Sequence, residues 1–573
     1  MNSLFLAIAG LILFGFGYRF YASFIATKIY AIHDFSGKVP SREFEDGVDY
    51  VPTKKEILFG HHFTSIAGAA PIIGPCIAAF WGWLPAFLWI VLGTIFMGAV
   101  HDFGALVVSV REKGKTIADI TGTIINQRVR TMFLIFVMML SWLVLAVFAM
   151  AIAGLFVSVP TAVLPVNIEI IIAIIVGVLL YRKKMDALIP SIIALILLYI
   201  FVYIGSYTPV SFETLGLDKS DQSTLWIILL FIYSGIASLL PVWLLLQPRD
   251  FINSHQLIMG LALIFIGIAI TQPSVEAPMI RTSGEDVPNL FPLLFVTIAC
   301  GAISGFHGLV ASGTTSKQVS NIKHTKLIGY GAMLGEGTLA LASTIAAVAG
   351  ISLVANCSLP SIGPVDDLNW HIYYDSWANA ATNKATAFVL GGGALIESLG
   401  IPGTLAKTIM AVFVISFAAT TLDTATRIQR FILSELGTAV KLSILKNRYV
   451  ATVAAIVPAL MLTLWQVTDP VTGKATQAGW VLWPIFGATN QMLAALTLMM
   501  LSIYFWKKGK SVLPLMIPFF FVTITTLASL AIKAQSFVEN NRFLLVIDGI
   551  LAALILWMLY EGWRVFRAGR AYE

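Results

Sequence analysis

Ionisable side chains interrupt several long apolar runs of this 573-residue chain. His101 and Asp102 are adjacent within one such run, and His61 and His62 are adjacent in the run before it. Imidazole and carboxylate groups could bind zinc, relay protons near neutral pH or satisfy one another as polar packing. Neighbouring residues on a helix point about 100° apart. We therefore expect at most one of His61 and His62 to share a site with His101.

A second polar group lies in the apolar run 291–316, which ends in the sequence CGAISGFHGLVASGTTSKQ. Its hydroxyls and its imidazole come from Ser304, His307, Ser312, Thr314 and Thr315. Hydroxyl and carbonyl oxygens suit a hard cation or a polar substrate, although Ser and Thr also join membrane helices by hydrogen bonds. We expect the first two residues to line a substrate site and the other three to act in coupling or gating.

Three further charged residues lie inside apolar runs, where an ionisable group is costly and marks a candidate site. Glu336 is a lone carboxyl and the best candidate for proton coupling. Asp423 and Arg427 are four residues apart with the acid first, a spacing that favours an ion pair on one helix face. Such a pair is either structural or part of a gate. We group these three with His101 and Asp102 as coupling or gating residues.

Two apolar runs that must position these residues are interrupted near their middles. Residues 57–80 contain Gly and Pro at 68–75, and residues 224–247 contain small residues at 234–238 and a proline at 241. Interrupted spans often hold the substrate of a transporter, whereas a proline-kinked structural helix is the alternative. We predict that substrate binds between the two interruptions. The predicted contacts are Gly68, Ala69, Ala70, Pro71, Gly74, Ser234, Gly235, Ile236 and Ala237.

Composition places the chain among integral membrane proteins. Hydrophobic residues make up 58% of it and charged residues only 12%, about half the charged share of a soluble protein. The three cysteines form no disulfide framework. No GxxxxGK[ST] motif is present, which argues against ATP-driven transport by this chain alone. No polar segment is long enough for a catalytic domain, so we expect neither an enzyme nor a nucleic-acid partner.

About fifteen apolar runs are long enough to cross a hydrocarbon core of ~30 Å. Lys and Arg are concentrated in alternate loops, from residues 28–55 to the tail at 564–570. The positive-inside rule then predicts an outside N-terminus and a cytoplasmic C-terminus. Residues 1–25 form an extra N-terminal span, 26–56 a cytoplasmic loop and 449–565 additional C-terminal spans.

The two interrupted runs are five spans apart and cross in opposite directions. This arrangement suggests an inverted-repeat transporter, with a first repeat at 57–205 and a second at 224–430. Chance occurrence among Gly- and Pro-rich membrane helices is the alternative. In hydrocarbon, interrupted backbone is tolerated only where protein or a cavity satisfies it.

Five blocks of this sequence resemble the carbon starvation protein A family. They are YVPTKKEILFGHHFTSIAGAAPIIGP, GAVHDFGALVVSVREKGK, IACGAISGFHGLVASGTTSKQ, TTLDTATRIQRF and LWPIFGATNQMLAA, spread from residue 50 to about 495. The resemblance implies an inner-membrane transporter of peptides or, in some members, pyruvate. It also implies the five-plus-five inverted repeat of the amino-acid–polyamine–cation superfamily and proton-coupled uptake. Gly335-Glu336-Gly337 departs from the family pattern, so coupling at Glu336 is not implied by the resemblance.

The sequence therefore predicts an all-α integral membrane protein with a leucine-transporter-like 5+5 inverted-repeat core and about 15 transmembrane helices. We expect it to import peptides, or a small carboxylate such as pyruvate, by alternating access, with protons and membrane lipid as further partners. A sodium-coupled carrier or a channel of the same fold is the alternative. No cofactor is required. Zinc or sodium is the candidate ion, and the candidate metal ligands are His61, His62, His101 and Asp102.

Overall fold

The computed structural model describes residues 1–568 except 187, 285–286, 360, 384, 469–474 and 541. Within this part, the chain is almost entirely helical, as predicted. Two short antiparallel hairpins pair β1 (Asn356–Leu359) with β2 (Gly363–Asp366) and β3 (Gln466–Thr468) with β4 (Ala475–Gln477). In the first hairpin Asn356 lies opposite Asp366, and in the second Gln466 lies opposite Gln477.

The helices follow one another with short connections. The first half of the chain forms α1 (Ser3–Phe16), α2 (Ala22–Phe24), α3 (Pro40–Glu43), α4 (Lys55–Ala67), α5 (Ala70–Ala78), α6 (Trp83–Gly93), α7 (Ala99–Arg111), α8 (Ile117–Ile124), α9 (Gln127–Ser158), α10 (Val163–Gly177), α11 (Leu188–Tyr207), α12 (Lys219–Leu239) and α13 (Leu246–Thr271). The second half forms α14 (Leu290–Thr297), α15 (Ala299–Ala302), α16 (Gly305–Gly313), α17 (Ala332–Val348), α18 (Trp370–Tyr373), α19 (Trp377–Asn383), α20 (Thr386–Glu397), α21 (Gly403–Ala439), α22 (Arg448–Leu464), α23 (Ala478–Val481), α24 (Trp483–Lys507), α25 (Leu513–Asn540) and α26 (Arg542–Arg567). Turns of π-helix extend several of them, at Gly17–Tyr21, Ile25–Ile29, Thr94–Gly98, Val178–Arg182 and Lys326–Gly331.

Twelve helical segments in the described part are long and apolar enough to cross a membrane, and the bent pair α4 and α5 makes a thirteenth. This confirms a multi-pass, all-α membrane protein but not the predicted number of about fifteen. Two of the predicted spans do not form a single helix long enough to cross the membrane. Residues 291–316 are divided among the three short helices α14, α15 and α16. Helix α22 has 17 residues and is therefore only about 25 Å long.

The first predicted interruption is present between α4 and α5, whose axes are bent by 45°. Gly68 there has φ 32° and ψ −163°, a conformation open to glycine and strained for other residues. Pro71 follows in the first turn of α5, where the backbone N–H that proline lacks has no helical partner anyway. Glycine and proline together thus end one helix and start the next.

The prediction of a second interrupted helix at 234–241 is wrong. Helix α12 runs unbroken through Ser234, Gly235, Ile236 and Ala237 to Leu239. Pro241 follows the helix end, where it removes no helical hydrogen bond. Helix α12 packs mainly against α9, α21 and α22, and Ile236 is 59% exposed.

The actual second break lies at Ile303 and Ser304, which are extended between α15 and α16. No proline marks it. The backbone N–H of Phe306 in the first turn of α16 donates to the Asn490 side-chain oxygen at 2.9 Å. A side chain from α24 thus satisfies a donor that the new helix start would leave free.

The two discontinuous helices pack against each other. Helix α5 contacts α14 and α15, whereas α4 contacts α13, and α16 contacts α7 and α24. A Cβ on Gly74 would come within 2.4 Å of the Thr297 carbonyl oxygen, so the backbones touch there. The long helices α9 and α21, of 32 and 37 residues, pack against each other beside this pair. The breaks therefore lie at the centre of the bundle.

Candidate functional site

The break between α4 and α5 faces the two long helices. A Cβ on Gly68 would lie 3.0 Å from the Phe148 ring of α9 and 3.0 Å from the Thr421 hydroxyl oxygen of α21. The neighbouring predicted contacts Ala69, Ala70, Pro71 and Gly74 are all buried. The structure thus keeps the first set of predicted substrate contacts together, and it places Ser234 to Ala237 on a helix that packs elsewhere.

Four predicted residues form one buried group, here called the imidazole–carboxylate chain: His101, Asp102, His307 and Glu336. Asp102 lies between two imidazoles, with Oδ1 2.7 Å from His101 Nδ1 and Oδ2 2.9 Å from His307 Nδ1. On the other side of the ring, His307 Nε2 lies 3.2 Å from Glu336 Oε2, an ionic contact rather than an aligned hydrogen bond. All four side chains are buried.

The imidazole–carboxylate chain can hold and pass protons. Each nitrogen of the His307 ring faces a carboxylate, so the ring is a double donor when charged. When the ring is neutral, Glu336 can carry the proton instead. The group joins α7, α16 and α17, which connects the second break to its neighbours. Buried groups of this kind mark proton relays in membrane transporters.

A second buried group, here called the Arg249 network, joins α4, α12, α13 and α21. Arg249 Nη1 lies 2.6 Å from Asp423 Oδ2, which also accepts a hydrogen bond from the Tyr233 hydroxyl at 2.8 Å. The next residue, Asp250, has Oδ2 2.5 Å from His61 Nδ1. This network ties the α4 half of the first broken helix to α13.

The predicted ion pair of Asp423 with Arg427 is not formed. Asp423 pairs with Arg249 instead, and Arg427 pairs with Asp49, at 3.0 Å. Arg427 also donates to the carbonyl oxygens of Ala237 in the last turn of α12 and of Leu240 just beyond it. The long-range ion pairs form instead because an i,i+4 pair stabilises a helix by only about 0.2–0.5 kcal/mol.

The other predicted residues have separate partners. His62 Nδ1 lies 2.9 Å from the Thr315 hydroxyl oxygen, and Ser304 exchanges hydrogen bonds with Asn490. The Ser312 and Thr314 hydroxyls bond to carbonyl oxygens of their own helix. The structure therefore separates His61 from His62, and neither is bonded to His101.

The described ranges contain no group of three or more His, Cys, Asp and Glu side chains that could hold a metal ion. The candidate ligands are divided among different partners. His61 is paired with Asp250, and His101 is paired with Asp102. The geometry therefore does not bring the four candidate metal ligands into one site.

Sequence reasoning missed three residues of the buried groups. The alternation of basic loops counts Arg249 as a loop residue, yet it is 2% exposed at the start of α13. Glu169 is a lone acid within the apolar helix α10, a signal equal to that of Glu336. Asn490 is a polar residue within an apolar run, but its role as the α16 cap depends on a tertiary contact.

A cavity of about 90 Å³ lies between α9, α10, α12, α13 and α21. Its polar lining includes Arg249, Tyr233, Glu169 and Ser416, and the rest is mainly aliphatic and aromatic. Ser416 donates a hydrogen bond to Glu169 Oε2 at 2.7 Å. Arg249, which lines the cavity, also connects it to α4 through the neighbouring Asp250 and its contact with His61.

Comparisons with known proteins agree with the resemblance noted in the sequence. The family model described as carbon starvation protein CstA matches residues 2–529. A peptide transporter CstA from Campylobacter jejuni is 32% identical, covering 97% of this chain and 84% of that protein. The pyruvate/proton symporter BtsT from Escherichia coli is 30% identical, covering 94% of this chain and 82% of that protein. A crystal structure of the Eremococcus coleocola manganese transporter aligns over 91% of this chain and 99% of that chain, with 13% identity and a TM-score of 0.42, too low to support an inference about fold.

Proposed function

The chain belongs to the carbon starvation protein CstA family, whose members are membrane transporters rather than enzymes, and we propose that it is a proton-coupled secondary importer. Its substrate is a peptide or a small carboxylate such as pyruvate, and import proceeds by alternating access. Relatives named as a peptide transporter and as a pyruvate/proton symporter support both substrate classes. A peptide C-terminus and pyruvate share a carboxylate.

The observation that carries proton coupling is the imidazole–carboxylate chain. It is buried from solvent, and it lies directly beside the second break, since His307 is in the first turn of α16. A proton that moves from Glu336 to Asp102 through His307 shifts negative charge from α7 to α17 across the start of α16. Such a change can favour one arrangement of the broken helix over another. We assign His101, Asp102, His307 and Glu336 to coupling, with Gly68 to Gly74 at the substrate passage.

The five-plus-five repeat remains our proposal, but the bounds of both repeats differ from the predicted 57–205 and 224–430. The first repeat extends from α4 to α13 and includes the additional helices α11 and α12. The second repeat extends from α14 to α24. The supporting relation is that α13 packs on the first broken helix as α24 packs on the second. Six apolar helices separate the breaks, so the two broken helices cross in opposite directions.

We further propose the inner membrane as the location, with the N-terminus outside and the C-terminus cytoplasmic. The alternation of basic loops supports this orientation. A sodium-coupled carrier is the second candidate, because Ser312, Thr314 and Thr315 place three hydroxyls together at the C-terminal end of α16. A channel would need a continuous polar pore, and the charged groups here are paired within a packed bundle.

The test is uptake into proteoliposomes of labelled pyruvate and, separately, of a labelled dipeptide, with and without an inward proton gradient. We expect the gradient to stimulate uptake of one of them. His307→Gln and Glu336→Gln should each reduce gradient-driven uptake by about 100-fold while exchange without a gradient is retained. These two changes remove a protonation site and keep hydrogen-bonding capacity.

Asp548→Asn is the matched control, because Asp548 is also buried in a span but belongs to α26, away from the breaks. It should leave uptake within twofold of the unmodified protein. Uptake that responds to a sodium gradient and not to a proton gradient would show that sodium is the coupling ion. Passive, unsaturable flux of either compound would contradict a carrier.

A further inference from the structure

The connection between α21 and α22 is a short basic segment, residues 440–448, here called the basic turn. Its sequence is VKLSILKNR, which contains no acidic residue. Its three cations are all exposed: Lys441, Lys446 and Arg448. Two of its apolar side chains are also well exposed, Leu442 at 50% and Ile444 at 59%. Cations and apolar side chains presented together are typical of segments that contact an anionic membrane surface.

A further cation, Arg430 of α21, is buried close to this turn without a counter-ion. Arg430 is 8% exposed. Among the described residues, its guanidinium has a ring contact with Phe431, 4.8 Å from the ring centre, and no ion pair. Its Nε is enclosed without a hydrogen-bond partner, whereas Nη1 and Nη2 are not enclosed. A buried ion without a partner is costly, so an anion that reached these terminal nitrogens would be stabilised.

The geometry of α21 directs Arg430 toward the start of α22. Three residues before it, Arg427 is paired with Asp49. Three residues after it, Leu433 packs against alanines in the first two turns of α22. Residues three apart differ by about 60° around a helix. Arg430 therefore lies between these two contacts, in a cleft bounded by α21, the start of α22 and residue 49.

This cleft carries an excess of positive charge. The charged side chains that act on Arg430 there are Arg427, Asp49 and Arg448. Asp49 is already bound to Arg427 at 3.0 Å, so Arg430 and Arg448 are left without an acid of their own. The first turn of α22 also lacks an acidic residue, and the start of a helix carries a partial positive charge. Both arginines and the helix start thus favour an anion at one place.

An apolar stripe on α22 begins where the basic turn ends. Its members follow at intervals of four residues and are 45–66% exposed: Tyr449, Val453, Val457 and Met461. At the top of the stripe, Arg448 Nη2 donates to the Tyr449 hydroxyl oxygen at 2.8 Å, and tyrosine is common at the boundary between lipid chains and headgroups. A ligand with an anionic head and long apolar chains matches both the cleft and the stripe, whereas a free anion matches only the cleft.

We propose that Arg430 and Arg448 bind the phosphate of an anionic phospholipid, whose acyl chains lie along the α22 stripe. The guanidinium groups donate to phosphate oxygens, a geometry that arginine suits better than lysine. Lys441 and Lys446 add charge around the headgroup. The site is separate from the imidazole–carboxylate chain, and the inference goes beyond the proposed transport function because it requires no particular substrate or coupling ion.

The experiment is thermal unfolding of the purified full-length protein in a neutral detergent, titrated with dioleoyl phosphatidylglycerol. A ligand that binds only the folded protein raises its melting temperature as its concentration increases. We expect a saturable rise that weakens as the salt concentration is raised, because salt screens the charges. Dioleoyl phosphatidylcholine has the same chains and no net charge, and an equal rise with it would overturn the role of charge.

The headgroup without its chains separates a lipid from a soluble anion. Inorganic phosphate and glycerol 3-phosphate should stabilise the protein only at much higher concentrations than phosphatidylglycerol. If either of them saturated at the same concentration as the lipid, the ligand would be a soluble phosphate and the proposed lipid site would be overturned.

Arg430→Gln tests the buried cation, because glutamine keeps hydrogen-bonding capacity and removes the charge. The half-saturating concentration of phosphatidylglycerol should rise by about tenfold or more. Without lipid, the variant should melt no lower than the unmodified protein, since a buried charge without a partner has been removed. A purely structural role for Arg430 would instead lower the melting temperature without lipid and leave the half-saturating concentration unchanged.

Two further variants complete the test. Arg448→Gln changes an exposed residue that folding does not require, and it should weaken the lipid effect in the same direction. Arg567→Gln is the matched control, because it removes one exposed arginine from the last turn of α26, and it should leave the titration unchanged. Equal weakening in all three variants would show attraction to surface charge in general and would overturn a specific site, as would unchanged titrations in both Arg430→Gln and Arg448→Gln.

Discussion

At the scale of single residues, the bundle is held together by buried charges that find partners far away in sequence. Arg249 and Asp423 are 2% and 0% exposed and lie 2.6 Å apart. Transfer of two such charges from water is expensive, and close geometry offsets this cost. Removing one partner then leaves the other charge buried without compensation.

This pair gives a stability prediction. Asp423→Leu should lower the free energy of unfolding by about 3–5 kcal/mol, because Arg249 loses its counter-ion inside the bundle. Adding Arg249→Met should recover most of that loss, because an apolar pair replaces the ionic one. Thermal unfolding of the purified single and double variants measures both effects. A double variant less stable than Asp423→Leu would contradict the explanation.

The sequence located most of these buried groups but not their pairing. His101, Asp102, His307 and Glu336 were each found because an ionisable residue inside an apolar run is unusual. Their assembly depends on which helices are neighbours, which the sequence alone does not fix. The predicted pairing of Asp423 with Arg427 is wrong because it follows from sequence spacing alone. The actual partner, Arg249, is distant in sequence and close only in the folded protein.

At the scale of helices, close backbone contact joins the two broken helices. Gly74 of α5 faces the carbonyl of Thr297 in α14, and a Cβ on Gly301 of α15 would lie 2.8 Å from Ala340 of α17 and 3.6 Å from the Pro75 ring. Small residues allow such approach in membrane bundles, where packing supplies much of the attraction between helices. The contact therefore depends on the absence of a side chain.

Glycine substitutions test this contact. Gly74→Ala should strongly destabilise the protein or abolish folding, because its Cβ would lie 2.4 Å from the Thr297 oxygen and backbone would have to move. Gly154→Ala in α9 is the matched control, since nothing lies within 4 Å of its Cβ position. It should raise stability by up to about 1 kcal/mol through helix propensity. Equal melting temperatures for both variants would contradict the packing argument.

The first break was predictable and the second was not, for a physical reason. Gly68 and Pro71 disfavour a continuous helix by their own chemistry. Ile303 and Ser304 do not, and their extended conformation is accompanied by a cap from Asn490, which is 186 residues beyond Ser304. The second break was predicted near Pro241 instead, but a proline that follows a helix end removes no hydrogen bond from the helix.

At the scale of the whole molecule, the family, the helical class and the multi-pass character followed from sequence, whereas the number of spans did not. The length of an apolar run does not reveal whether its helix is continuous. The orientation in the membrane can be tested through the native cysteines. Cys76 and Cys300 are buried, and Cys357 in β1 is partly accessible.

Labelling of Cys357 measures the orientation without engineered residues. If the N-terminus is outside, the β1–β2 hairpin between α17 and α21 is also outside. A membrane-impermeant maleimide added to right-side-out vesicles should then label the protein, and Cys357→Ser should abolish the signal. Labelling only after the vesicles are opened would reverse the proposed orientation.

The two halves of the first broken helix both contact α17 but otherwise have different neighbours, and this difference has a mechanical consequence. Helix α5 is pressed against α14 and α15, whereas α4 is bound to α13 through His61 and Asp250. With its 13 residues, α4 is a lever about 20 Å long, pivoting at Gly68. A swing of about 15° at that pivot displaces its far end by about 5 Å, while the fulcrum and the α5 side stay in place. A rotation of about 15° at a single glycine would thus open a gap several ångströms wide at the far end of α4.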